Sequence, residues 1–257
     1  MKIYLKTVIS LFFLLVVFQL FYMYNCYTLL LPLSTLIIIS SSFIELKLKY
    51  RSCSYKCYFK EESKLFKLLS SPYLVVLLFI MFSIGLTISI FIEVIFFANI
   101  LWFYLILHIG LMILIYNKFK VVLFSSVKPE MLKLLARELS IKVGSVILFI
   151  VFTLLFYYSD TPSYIVSTLA QSVQNATNSV GSDCEIIDYI IRVKAEFNAV
   201  AYWAVINTTQ HADNQTNKAY IWLIFILINS LSSLGINRLV AQLIYIIEKV
   251  TGETSGK

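Results

Sequence analysis

Apolar runs of about twenty residues alternate along this chain with short segments rich in lysine and arginine. That alternation leaves few options for the fold. A helix rises 1.5 Å per residue, so about twenty apolar residues match the ~30 Å hydrocarbon layer of a bilayer. Backbone groups inside lipid must also bond within their own segment, which favours helices. Hydrophobic residues make up 60% of the 257 residues and charged residues 14%, against about 45–50% and about 25% in soluble domains. The mean hydropathy is +0.85. One water-soluble core could not bury so much apolar surface.

The expected fold is therefore all-α: a polytopic integral membrane protein with six transmembrane helices and a small extracytoplasmic helical hairpin. The six runs lie near residues 7–24, 27–44, 72–95, 97–116, 143–158 and 219–236. The first resembles a signal peptide, but Tyr22 to Tyr27 lacks a small-x-small cleavage pattern and a second apolar run follows at once, so it reads as an uncleaved span. Asn25 and Pro32 mark the expected break between the first two spans. Pro72 suits a first helical position.

Charge placement tests the count. Basic residues concentrate before span one, in the loops 45–71 and 117–142, and after span six. Only Arg192, Lys194 and Lys218 fall in the segment from Ser159 to Lys218. An even number of crossings between the basic stretches places them on one side, and the positive-inside bias makes that side cytoplasmic. Both termini are then cytoplasmic, in a membrane expected to be a bacterial inner membrane. The organisation is a five-span domain over 1–158, a hairpin over 159–218, and a sixth span with an amphipathic tail over 219–257. Net charge is +7. Attraction of the basic loops to anionic lipid headgroups accounts for it, without a nucleic-acid partner.

The extracytoplasmic segment reads as two helices. Thr161-Pro162 starts one, with Ile165, Leu169, Val173 and Ala176 on one face. Ser182-Asp183 caps the other, whose stripe runs Ile187, Ile190, Ile191, Phe197, Ala201 and Ala204 before a polar loop from Asn207 to Asn217. Neither stripe can be buried by so small a hairpin alone. Three sequons, Asn175-Ala-Thr, Asn207-Thr-Thr and Asn214-Gln-Thr, would be glycosylation acceptors in a eukaryotic secretory protein. The alternative is that an Asn/Thr-rich segment makes sequons by chance.

Cys26 and Cys184 are the only cysteines expected on the oxidising side, which makes them the candidate disulfide. The alternative is two free thiols too far apart to bridge. Cys53 and Cys57 supply half of a zinc site at best, so no metal or cofactor is expected. Within the spans, Glu93 and His108 are the notable ionisable residues. His108 lies about eleven residues into span four, ~16 Å deep. Gly85, Ser89 and Glu93 share one face of span three, so a small polar stripe is expected to face span four. The alternative is a neutral histidine hydrogen-bonded between helices.

Two amphipathic stretches are expected to lie in the headgroup region: Met131, Leu135 and Leu139, with Lys133, Arg137 and Glu138 elsewhere, and Leu239, Leu243, Ile246 and Ile247 after span six. Leu65, Leu68 and Leu69 look similar. There is no nucleophile elbow, phosphate loop or HExxH motif, and a membrane enzyme would rest only on His211 and nearby carboxylates. The leading expectation is a non-enzymatic subunit of a larger membrane assembly, of secretion, conjugation or envelope type, contacting other membrane proteins or further copies of itself. A small channel or transporter using the face between spans three and four is the alternative.

Overall fold

One helix organises the molecule. In the computed structural model, which describes residues 2–58, 72–97, 99–157, 162–211 and 215–251, the described residues form helices joined by turns. They are α1 (Lys2–Phe21), a 3-10 turn (Cys26–Leu29), α2 (Leu30–Tyr58), α3 (Pro72–Ile95), α4 (Asn99–Leu123), α5 (Pro129–Tyr157), α6 (Leu169–Asn178), α7 (Glu185–His211) and α8 (Gln215–Thr251). Helix α8 packs against α1, α2, α3, α4, α5 and α7. From Ser232 to Ile244 nearly every side chain on it is buried, so this stretch is the central post of the bundle.

Local chemistry explains most boundaries. Asn25 caps the 3-10 turn by accepting from the Tyr27 N–H at 3.2 Å. Pro32 falls in the first turn of α2, where its missing N–H breaks no intrahelical bond, so it does not interrupt the helix. Pro72 and Pro129 open α3 and α5, and Glu130 in the first turn of α5 suits the helix dipole. Around the start of α7, Ser182 donates to the Tyr22 carbonyl at 2.5 Å and the Asp183 N–H to the Met23 carbonyl at 2.9 Å.

Two glycines mark close helix approaches. A Cβ at Gly235 would come within 2.9 Å of Ile90 and 3.2 Å of the Leu86 carbonyl, so α3 and α8 touch nearly backbone to backbone. A Cβ at Gly144 would overlap the Met112 sulfur and the Asn237 side-chain oxygen.

Among the described residues, four helices are long and apolar enough to cross a membrane: Lys2–Phe21, Cys26–Leu48, Val76–Ile95 and Asn99–Leu123. Large apolar side chains are plentiful outside the bundle as well as inside. Leu5, Ile9 and Phe13 on α1 and Phe103, Leu107 and Leu114 on α4 are exposed, whereas Leu11, Leu15, Leu105 and Ile109 are buried. An apolar exterior of this extent suits lipid, not water. The expected fifth and sixth spans fall on α5 and α8, but side chains 155–161 and 219–230 lie outside the described residues, as do Leu65, Leu68 and Leu69.

Several expectations are corrected. Helix α6 starts at Leu169, not Thr161, because Ser172 ties down the preceding segment: its hydroxyl accepts from the Val166 N–H at 2.9 Å and lies 3.0 Å from the Thr168 carbonyl. The backbone of Asn207 to His211 continues α7 instead of forming a loop; Asn and Thr cost only tenths of a kcal/mol each in a helix, about 0.7 at most. The stretch 131–141 is not a headgroup helix. It buries Leu134, Ala136, Arg137, Glu138, Ser140 and Ile141 while Met131, Leu135 and Leu139 are only partly covered. Nor is 239–247 a surface tail, since Leu239 and Leu243 lie in the central post.

Candidate functional site

Polar side chains follow α8 through the centre of the bundle in three groups. At the first, His108 Nε2 and Asn237 Oδ1 are 2.7 Å apart, both residues buried. Asn237 uses its amide N–H to donate to the Ser233 carbonyl at 2.8 Å. Its oxygen therefore accepts from His108, which places a ring proton on Nε2. The ring Nδ1 is buried with no hydrogen-bond partner among the described residues. Tyr104 stacks on the ring, centroids 5.9 Å apart.

The second group lies next along α8 and joins three helices. Arg137, with no solvent exposure, donates to Gln242 at 2.7 Å, the Ser42 carbonyl at 2.8 Å, Glu138 at 3.2 Å and Glu45 at 3.3 Å. Arg238 donates to both carboxylate oxygens of Glu138, at 3.2 and 2.9 Å, and to the Ser42 hydroxyl at 3.1 Å. Its guanidinium sits 3.6 Å over the Phe43 ring, and that of Arg137 is 5.0 Å from the Tyr245 centroid. Tyr245 donates to Glu45 at 2.7 Å. Two arginines and two glutamates balance formally, which is what lets charge sit this deep. At the third group, the buried Glu248 pairs with Lys120 at 3.1 Å and Lys133 at 3.2 Å.

At the opposite end of the bundle, α6 and α7 pack together through Ala176, Ala195 and Ala199. Cys184 at the start of α7 is bonded to Cys26, with Cα atoms 5.0 Å apart, inside the usual range of about 4.4–6.8 Å. Asp188 is held below the usual carboxylate range by a hydrogen bond from Arg192 and by the Ser182 N–H. Burial, with Tyr202 nearby, pushes the Tyr164 hydroxyl up to about 12.

The expected polar face between spans three and four does not form. Chain neighbours need not be packing neighbours: α3 lies against α2 and α8, while α4 lies against α1, α5 and α8. Gly85 is exposed with open space around it, and Ser89 is half-buried. Glu93 pairs with Lys194 of α7 at 3.2 Å. His108 finds its partner on α8 instead. Asn175 is exposed on α6. Asn207 lies on α7, its side chain outside the described residues, as are the side chains of Cys53, Cys57 and His211 and the whole of Asn214. Among the described residues, no three His, Cys, Asp or Glu side chains gather where they could hold a metal.

Sequence reasoning missed Asn237, Gln242 and Glu248, and it placed Arg137 and Glu138 on a headgroup helix and Arg238 among the cytoplasmic basic residues after span six. One signal was available. Residues 231–248 contain one Gly and no Pro, so the helix had no reason to stop at Ile236. Continued, it carries Asn237, Arg238, Gln242 and Glu248 along the post.

The fold and its buried charges define the class: an all-helical protein with several helices suited to crossing a membrane. No family model, curated protein or solved structure matches the chain.

Proposed function

We propose that this chain is a non-enzymatic multi-pass membrane subunit of a larger assembly, of secretion, conjugation or envelope type. In this reading it crosses a bacterial inner membrane six times, with both termini cytoplasmic and α6–α7 outside. Exposed Val143, Val146, Ile150 and Leu154 give α5 a lipid-facing stripe, which supports a fifth crossing. Asn175, Asn207 and Asn214 fall on the outer side, where they would be glycan acceptors if the host were eukaryotic.

The observation that carries the assembly reading is on α7. Ile187, Ile191, Ala195 and Ala199 face the protein, whereas Ile186, Tyr189, Val193 and Val200 form a second apolar stripe on the opposite side, 59%, 70%, 47% and 44% exposed. A helix apolar on two faces has one more surface to cover than this chain covers. The occupant proposed is an apolar helix of another membrane protein. Tagged protein extracted in mild detergent should bring down a stoichiometric set of membrane or envelope proteins, and Tyr189→Glu with Val193→Glu should release them. A lone stable monomer would end this reading.

The polar column along α8 supports a second reading, a small channel or transporter. It predicts that His108→Ala abolishes a measurable flux across vesicles; unchanged flux removes His108 from any pathway.

A further inference from the structure

The two ends of the bundle are held by different chemistry. One end is closed covalently by Cys26–Cys184, and Glu93–Lys194 ties α3 to α7. The other is closed by ions. Glu45 lies nineteen residues along the chain from Cys26, about 28 Å at 1.5 Å per residue, so the Arg137–Arg238 network sits far from the disulfide. It also has a single keystone. Among the described residues, Glu138 is the one carboxylate paired with both Arg137 and Arg238, and these two arginines reach Ser42 and Glu45 on α2 and Gln242 on α8.

We propose that Glu138 is the keystone of an ionic latch that holds α2, α5 and α8 closed at the end remote from the disulfide. The bundle opens at that end and not at the pinned one. The reason is an asymmetry of charge. With Glu138 in place, two buried guanidiniums face two carboxylates. Without it, Arg137 keeps the Glu45 carboxylate and the neutral Gln242 and Ser42 oxygens, and Arg238 keeps a hydroxyl and the face of Phe43, so one buried positive charge is uncompensated. The cheapest relief is to let water reach it, which parts α5 and α8 locally. Glu45 is the weaker partner, since its side chain is 26% exposed against 11% for Glu138 and touches Arg137 alone of the two. This latch does not depend on which partner or solute the protein serves.

The test is hydrogen–deuterium exchange of the full chain in lipid nanodiscs, comparing wild type with Glu138→Gln. Amides in 132–141 and 238–248 should exchange at least tenfold faster in the variant, while those in 184–201 keep their wild-type rates. Unchanged exchange at 132–141 and 238–248 overturns the latch. So does an equal rise in all three segments, because that is global loosening. Should Glu138→Gln fail to fold, Glu45→Gln serves instead. It should quicken the same two segments by a smaller factor and leave 184–201 alone; a flat result overturns the proposal equally.

Discussion

Gly144 shows how narrow the tolerance is where the helices meet. A methyl group there would strike Met112 and the oxygen of Asn237 that accepts from His108. Overpacking a filled core costs roughly 1–3 kcal/mol. Gly144→Ala should therefore lower the thermal midpoint of the detergent-solubilised protein, and His108→Ala in the same background should recover part of the loss by freeing Asn237 to move. At the exposed end of the molecule, Asp188 makes a different forecast. Its carboxyl titrates lower in the folded protein than in the unfolded chain, so its contribution is complete above the unfolded value of about 3.9. It fades as pH falls through the folded value. Melting of α6–α7, followed by circular dichroism from pH 6 down to pH 2, should show this acid step in wild type and lose it in Asp188→Asn.

Among the elements, the α6–α7 pair depends most on its tie to the bundle. Its own buried contacts are small, chiefly Ala176, Ala195 and Ala199, and the Cys26–Cys184 bond spans 158 residues. Chain-entropy arguments put such a closure at up to about 5 kcal/mol. Cys26→Ser should make α7 the first region cut by added protease, with the core of α8 still protected. Equal resistance with and without the bond would show that packing alone holds the pair. The polar loop expected after α7 illustrates a limit of local reading. Asn207 to His211 look like a loop by composition and are helical, because small propensity differences yield to the continuity of a long helix. Pro32 illustrates the converse: a residue that breaks helices is harmless in a first turn.

For the whole molecule, topology is the property most open to test. If six crossings are right, alkaline phosphatase fused after Val180 is active and fusions after Val127 or Lys257 are inactive, with the opposite pattern for a cytoplasmic reporter. Activity at Lys257 with inactivity at Val127 would require an odd number of crossings between them and remove the six-span arrangement. Much of the membrane character was legible in the residues themselves. Run length and apolarity are local properties, so α3 was located at both ends, α1, the first part of α2 and α4 were found with ends up to seven residues off, and Cys26 and Cys184 could be singled out as a pair. Packing order was not legible. Apolar side chains cover these helices on all sides, so periodicity does not say which face meets which neighbour, and the expected face between spans three and four joined the Gly85, Ser89 and Glu93 stripe to the next helix in the chain, which is not its packing neighbour. The same ambiguity hid the charges. Arg137, Glu138 and Arg238 look alike in sequence whether they meet headgroups or one another, because a lone charge is costly in the interior and a neutralised group of four is not. Local hydropathy determined that this chain makes long apolar helices. Only the tertiary structure decided that α8 is their centre and that its charges face inward, since compensation between residues about a hundred positions apart exists only once the helices have met.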